Sequence, residues 1–304
     1  MSGERNVLAG DGPGRQSSVD GGADSRATAA IRVPPHVFFL VSAVFHYLGP
    51  ACAVLLFAQI EPLGVAWLRI TTAAVIFGSW CRPWRLMRRL QSRDLYIILA
   101  LGCVLAAMNM CFYIAIDHLP LGTVGAIEFL GPVALAASGA RHWRNIAALM
   151  FAIGGVYLLT DIRLAHDAIG YLFAFANCAL FTLYIMLGHR IAKAGGSSID
   201  RLALAMLIAM IAGLPFGIVD ALPALHALPL FLAALGVGVA SSVIPYVCDQ
   251  LAMARLPRAT FALFLALLPA FASLIGALVL RQIPSLSEAA GVGFVIAAVF
   301  LHRP

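Results

Sequence analysis

Charge is scarce in this chain. Only 11% of the 304 residues are Asp, Glu, Lys or Arg, against about 25% in an ordinary soluble domain. A water-surrounded surface of this size needs far more, so the composition excludes a soluble globular fold. Catalytic signatures are missing as well. No G-x-x-x-x-G-K-[ST] loop is present, so ATP hydrolysis would have to come from another subunit. Neither H-E-x-x-H nor G-x-S-x-G occurs, and the histidines outside the first apolar run fall in loops or at helix ends. An intramembrane enzyme, which needs a nucleophile with its base or a metal cluster at one depth, finds no support. The six cysteines, Cys52, Cys81, Cys103, Cys111, Cys178 and Cys248, include no C-x-x-C pair. They read as buried thiols rather than metal or redox groups. No cofactor and no metal is expected.

What is abundant is apolar surface: 62% of the residues are hydrophobic. Beyond Ile31 the chain divides into apolar runs close to the ~20 residues that carry a helix across ~30 Å of hydrocarbon. Lipid offers no partner to a backbone amide, so helices are the expected element; the ten-residue alternation of a membrane β-barrel is absent. Ten spans are expected, at 36–58, 63–81, 95–116, 120–140, 146–160, 169–189, 199–219, 228–250, 257–280 and 287–302. Residues 1–33, rich in Gly, Ser, Asp and Ala, read as a disordered tail, and no cleavable signal peptide is expected.

The net charge of +6 does not imply nucleic acid, because of where it sits. The tail, the second connection (Arg82, Arg85, Arg88, Arg89, Arg93), the fourth (Arg141, Arg144), the sixth (Arg190, Lys193, Arg201), the eighth (Arg255, Arg258) and Arg303 carry it. Only Arg163 and Arg281 lie opposite, and Arg69 lies inside a span. The positive-inside rule then puts both termini in the cytoplasm of a multi-pass protein of the bacterial inner membrane.

The chain also matches itself. With Pro120 laid on Pro257, Ala115 meets Ala252, Thr123 meets Thr260, Leu130 meets Leu267 and Pro132 meets Pro269. Five helices per half is an odd number, so the second half enters the membrane from the other side. This gives an inverted repeat, 34–161 and 162–304, an arrangement typical of secondary transporters whose site lies between the halves.

Several short motifs carry a resemblance. Leu68-Arg69, Arg82-Pro83-Trp84-Arg85-Leu86, Met108-Asn109 with Phe112-Tyr113, Leu119-Pro120-Leu121-Gly122, Glu128-Phe129, Gly131-Pro132, Pro245-Tyr246 and Arg255-Leu256-Pro257 are similar to the EamA-type branch of the drug/metabolite transporter superfamily. Within that branch they resemble the threonine/homoserine exporters of bacterial inner membranes. The likeness covers about residues 36–302. It implies a basket of ten helices around a central cavity, and efflux of amino acids or similar metabolites. Two positions depart from the family pattern. An acidic residue often precedes the proline of span nine, where this chain has Leu268-Pro269-Ala270. A Gly-Glu pair commonly follows that span, where it has Arg281-Gln282.

Intramembrane ionisable groups mark the candidate site. Glu128, mid-span and without another acid nearby, is either a group that binds a proton or a substrate amine, or a structural carboxyl, neutral or locked to Arg69. Arg69 offers a bidentate fork to a substrate carboxylate or to Glu128, or snorkels to the interface. Asn109 and Tyr113, four apart, share a face of span three. Ser242, Tyr246, Asp249 and Gln250 form a stripe on span eight, its counterpart, and read as cavity lining. Pro132, Pro245 and Pro269 each withhold an amide and so loosen a carbonyl, or merely kink their helices. Ser42 and His46 share a face of span one. Gly154, Gly155, Gly291, Gly293 and Ala297 allow close packing of spans five and ten, within one chain or between two. The expected function is export of a small polar substrate, with protons as coupling ion and the lipid bilayer as surroundings. A channel is the further alternative, although its filter would need rings of ligands.

Overall fold

A computed structural model describes residues 34–81, 83–87, 90, 92–131, 143–160, 167–193, 198–248 and 268–301. The expected tail, together with Pro132, Asp249 and Gln250, lies outside the described residues. No strand occurs among the described residues. The helices are α1 (Pro35–Leu56), α2 (Pro62–Cys81), the short α3 (Pro83–Met87), α4 (Ser92–His118), α5 (Leu121–Glu128), α6 (Trp143–Thr160), α7 (Ala168–Lys193), α8 (Ser198–His226), α9 (Leu228–Gly238), α10 (Leu268–Val279) and α11 (Leu286–Leu301). A π turn, Val239–Val243, extends α9.

Local chemistry explains where they begin. Proline opens α1, α2 and α3, at the position where its missing amide has no intrahelical partner to lose. Asp94 and Asp200 sit in the first turns of α4 and α8, where the helix dipole favours a negative charge. Ser285 and Glu288 close a reciprocal box at the start of α11. The Ser285 amide and hydroxyl donate to Glu288 Oε2 at 2.8 and 2.9 Å, and the Glu288 amide donates to Ser285 Oγ at 3.3 Å, satisfying donors a helix N-terminus leaves open.

Among the described residues, six segments are long and apolar enough to cross a membrane: Val37–Leu56, Pro62–Cys81, Ser92–His118, Ala168–Gly188, Ile199–His226 and Leu228–Cys248. Shorter apolar helices cover Ile146–Gly155, Leu268–Val279 and Leu286–Ala298. The helix starts agree with the sequence reading to within a few residues, except that the start of span nine and the end of span four lie outside the described residues. Two ends do not agree: α7 runs on to Lys193 and α8 to His226. Hydropathy marks where lipid ends, whereas a helix continues as long as its backbone ladder closes. Trp80, Trp84, Tyr96 and Trp143 are exposed beside the arginine-rich connections, in the manner of the aromatic belts that sit at headgroup level.

The packing runs largely between helices from the first and the second part of the chain. Helix α2 lies along α8, α4 along α7 and α8, α6 along α11, and α5 against α10 and α7; α1 meets α10, α9 and the π turn. Two glycines let α1 and α5 approach their neighbours closely. A Cβ on Gly49 would stand 2.6 Å from Ser241 Cα, so α1 and the π turn touch backbone to backbone. One on Gly125 would stand 2.7 Å from Ala272 Cβ and 3.1 Å from the Tyr47 hydroxyl. The glycines of spans five and ten pack within the chain: a Cβ on Gly155 would meet the Gly291 carbonyl at 2.8 Å, although Gly293 faces open space.

Candidate functional site

Arg69 is buried, 6% exposed. Snorkelling is therefore excluded, and so is the lock on Glu128, for no ion pair joins the two among the described residues. Its guanidinium reaches the π turn instead. Nε donates to Ser242 Oγ at 2.8 Å and Nη2 to the Ser241 carbonyl at 2.9 Å, while the group lies over the Tyr113 ring, 5.5 Å from its centroid. Pro245 accounts for the second bond. Having no amide, it returns no hydrogen bond to the carbonyl four residues earlier, and that carbonyl is Ser241. A proline thus frees an acceptor within the membrane and an arginine occupies it. The Pro245 carbonyl in turn accepts from Ser42 Oγ at 3.4 Å.

The rest of the two stripes divides. Tyr113 is fully buried, held by Phe57 and Phe112, and its hydroxyl has no hydrogen-bond partner. Asn109 is buried but donates to the carbonyl of Leu105 at 2.7 Å, so its amide serves its own helix before any cargo. Ser242 belongs to the Arg69 cluster. Tyr246 is half-buried against the α2–α4–α8 core. The four-residue spacing that put Ser242 and Tyr246 on one face assumes an α-helix, and the π turn widens the helix at that point. Pro269 lies buried in α10, and its carbonyl accepts from Ser273 Oγ at 3.1 Å. His46 sets its ring edge against Tyr47.

Glu128 ends α5, 4% exposed. Its Oε1 accepts from Asn177 Nδ2 of α7 at 3.1 Å. Tyr47 of α1 brings its hydroxyl beside the carboxyl yet stops short of hydrogen-bonding geometry, and Glu128 Oε2, Tyr47 Oη and Asn177 Oδ1 are all left buried and unpartnered. Each such atom costs about 1–3 kcal/mol. Three together are an unusual concentration. Sequence reasoning missed Asn177, Tyr47 and Ser241. Asn177 alone carried a usable signal, as a strong polar group midway along an apolar run.

Two buried polar clusters therefore lie within the core, Arg69–Ser241–Ser242–Tyr113 and Glu128–Asn177–Tyr47, close enough for Arg69 to act electrostatically on Glu128. Both are closed to solvent. An open cavity of about 150 Å³ lies elsewhere, between the start of α5 and the α10–α11 connection, lined by Thr123, Ser273, Gln282 and Glu288 among others. Here the departure from the Gly-Glu pattern has a visible form. Arg281 takes the left-handed backbone conformation, φ 55°, that favours glycine. Gln282 Oε1 accepts from the Leu121 amide at 3.0 Å, serving the N-terminus of α5. Groups that could hold a metal ion are absent among the described residues.

Comparison with known proteins shows the family. Residues 168–302 match the EamA-like transporter family. The threonine/homoserine exporter RhtA of Escherichia coli (strain K12) is 30% identical over 267 residues, 87% of this chain and 89% of that protein. RhtA of Salmonella typhimurium is 31% identical over 237 residues, 77% and 79% of the two chains. A solved crystal structure covers 88% of this chain and 97% of its own with a TM-score of 0.55 at 17% identity, a likeness that speaks for the fold alone. A helical, apolar chain that carries buried charge and aligns along most of its length with these exporters belongs to the EamA-like transporter family and is a multi-pass membrane transporter, not an enzyme.

Proposed function

We propose that the chain exports amino acids or similar small polar metabolites across the bacterial inner membrane, as a proton-coupled secondary transporter of ten spans in two inverted five-helix repeats. The observation that carries this reading is the pair of buried, opposite charges, Arg69 and Glu128, that do not neutralise one another in an ion pair. Such groups are costly in a membrane protein and are kept where they meet ions or substrates. A zwitterionic amino acid presents one pole for each.

The packing supports the repeat. If α1, α2, α4, α5 and α6 correspond to α7, α8, α9, α10 and α11, then α2 on α8, α5 on α10 and α6 on α11 are counterparts lying on one another. The contact of α1 with α9 answers that of α7 with α4, and α1 with α10 answers α7 with α5. A two-fold axis in the membrane plane produces this pattern. In the conformer described both clusters are occluded, so cargo reaches them by rocking of one half against the other. Glu128 is the group whose proton is exchanged, and Arg69 the group that receives a carboxylate, released from Ser241 and Ser242 as the site opens. Both termini lie in the cytoplasm, as the arginine distribution requires.

The relatives' names supply the first cargo to try. Proteoliposomes holding the purified protein should take up labelled threonine or homoserine saturably, with unlabelled substrate competing and an imposed pH gradient driving accumulation. Linear, uncompeted flux would indicate a channel, and a chemically altered product an enzyme; either would overturn the proposal.

A further inference from the structure

We propose that Tyr47, Glu128 and Asn177 form a recognition pocket for a primary ammonium group, so that the protein selects cargo with a free, protonated amine. This rests on the export reading above and extends it to a definite chemical class. The three residues come from α1, α5 and α7, so the pocket is built by both halves and exists only where they meet. Tyr47 reaches it along α5: its hydroxyl lies against Gly125, one helical turn before Glu128.

The count of hydrogen-bonding groups is the argument. Asn177 Nδ2 is committed to Glu128 Oε1. What remains is three oxygens, Tyr47 Oη, Glu128 Oε2 and Asn177 Oδ1, all buried and all without partners. Two of these only accept, the third accepts as readily as it donates, and the set includes one carboxylate. A primary ammonium carries three N–H donors and one positive charge. It satisfies every orphaned atom and neutralises the carboxylate in one step. A trimethylated amine offers no donor. An N-acylated amine offers one donor and no charge, and leaves two oxygens buried and unpaired. Arg69, held by Ser241 and Ser242, belongs to the other cluster and does not compete for these oxygens.

The pocket also makes coupling unavoidable. A proton on the Glu128 carboxyl removes the charge that holds the ammonium, so proton and amine occupy the site by turns. One leaves as the other arrives.

The test is a competition series on the unaltered protein in proteoliposomes, with labelled threonine as the transported probe. Unlabelled threonine, N-acetylthreonine and N,N,N-trimethylthreonine are compared as competitors, with and without sodium. The pocket predicts that the two blocked amines compete at least about thirtyfold more weakly than threonine, and that sodium has no effect. In Tyr47→Phe and Asn177→Leu the KM for threonine should rise about tenfold, with the ratio between free and blocked amines shrinking. Asn177→Gln, which keeps both the amide donor and the amide acceptor, should preserve that ratio. Equal competition by the acetylated compound would overturn the pocket while leaving the exporter intact, and an absolute sodium requirement would reassign the oxygens to an alkali cation. No threonine, homoserine or other amino-acid flux at all would overturn the export reading and the pocket with it.

Discussion

Arg281 is an arginine in a backbone conformation that suits glycine. Its φ of 55° brings Cβ close to the following carbonyl, at a cost of about 1–2 kcal/mol. Among the described residues, the contact that ties the connection to α5 is made by Gln282. Arg281→Gly should therefore raise the thermal unfolding midpoint of the detergent-solubilised protein, in keeping with a gain of about 1 kcal/mol once glycine's greater freedom in the unfolded chain is set against the relieved strain. A lowered midpoint would mean that the guanidinium holds a stabilising partner. The residue scale also marks the limits of reading a sequence. Glu128 and Arg69 stood out because a lone charge in an apolar run needs a reason. Tyr47 did not, because what distinguishes it is a crossing of α1, α5 and α7 around one carboxyl, which no local pattern records; Asn177 was passed over although a polar amide midway along an apolar run is a legible signal. Asn109, singled out with Tyr113 on one face of span three, turns back on the Leu105 carbonyl.

Among the elements, the extension of α9 through the π turn is the most informative. Three features coincide there: a widened turn at Val239–Val243, a proline two residues later, and an arginine from α2 that takes the carbonyl left over. Hydropathy located this span correctly, and the proline could be read as loosening a carbonyl. The π turn was not legible, since one extra residue in a turn leaves composition unchanged. Pro245→Ala returns an amide to this stretch, which competes with Arg69 for the Ser241 carbonyl. The helix should become more stable, because an interior proline costs about 3 kcal/mol, yet transport should fall about tenfold as the arginine loses its seat. Initial rates of threonine uptake, read beside the unfolding midpoint, check both halves of this expectation. A variant with a higher midpoint and unchanged rates would show that the freed carbonyl has no part in transport.

On the scale of the whole molecule, the self-match of the sequence around Pro120 and Pro257 and the reciprocal packing of α2 with α8, α5 with α10 and α6 with α11 point the same way. In the proposed repeat the sequence match is sparse because halves that meet different lipid and different loops keep in common only what their shared packing demands. The account stands on the idea that buried charge at the meeting of the two halves exists to exchange a proton for cargo. Glu128→Gln keeps the shape of the side chain and removes its ability to ionise. The decisive measurement is uptake of labelled threonine into inside-out membrane vesicles under an imposed pH gradient, with the variant expressed and folded at wild-type levels. The account predicts that wild-type vesicles accumulate threonine as the gradient steepens and that Glu128→Gln vesicles do not, at any gradient; accumulation by the variant with the wild-type dependence on pH would contradict it.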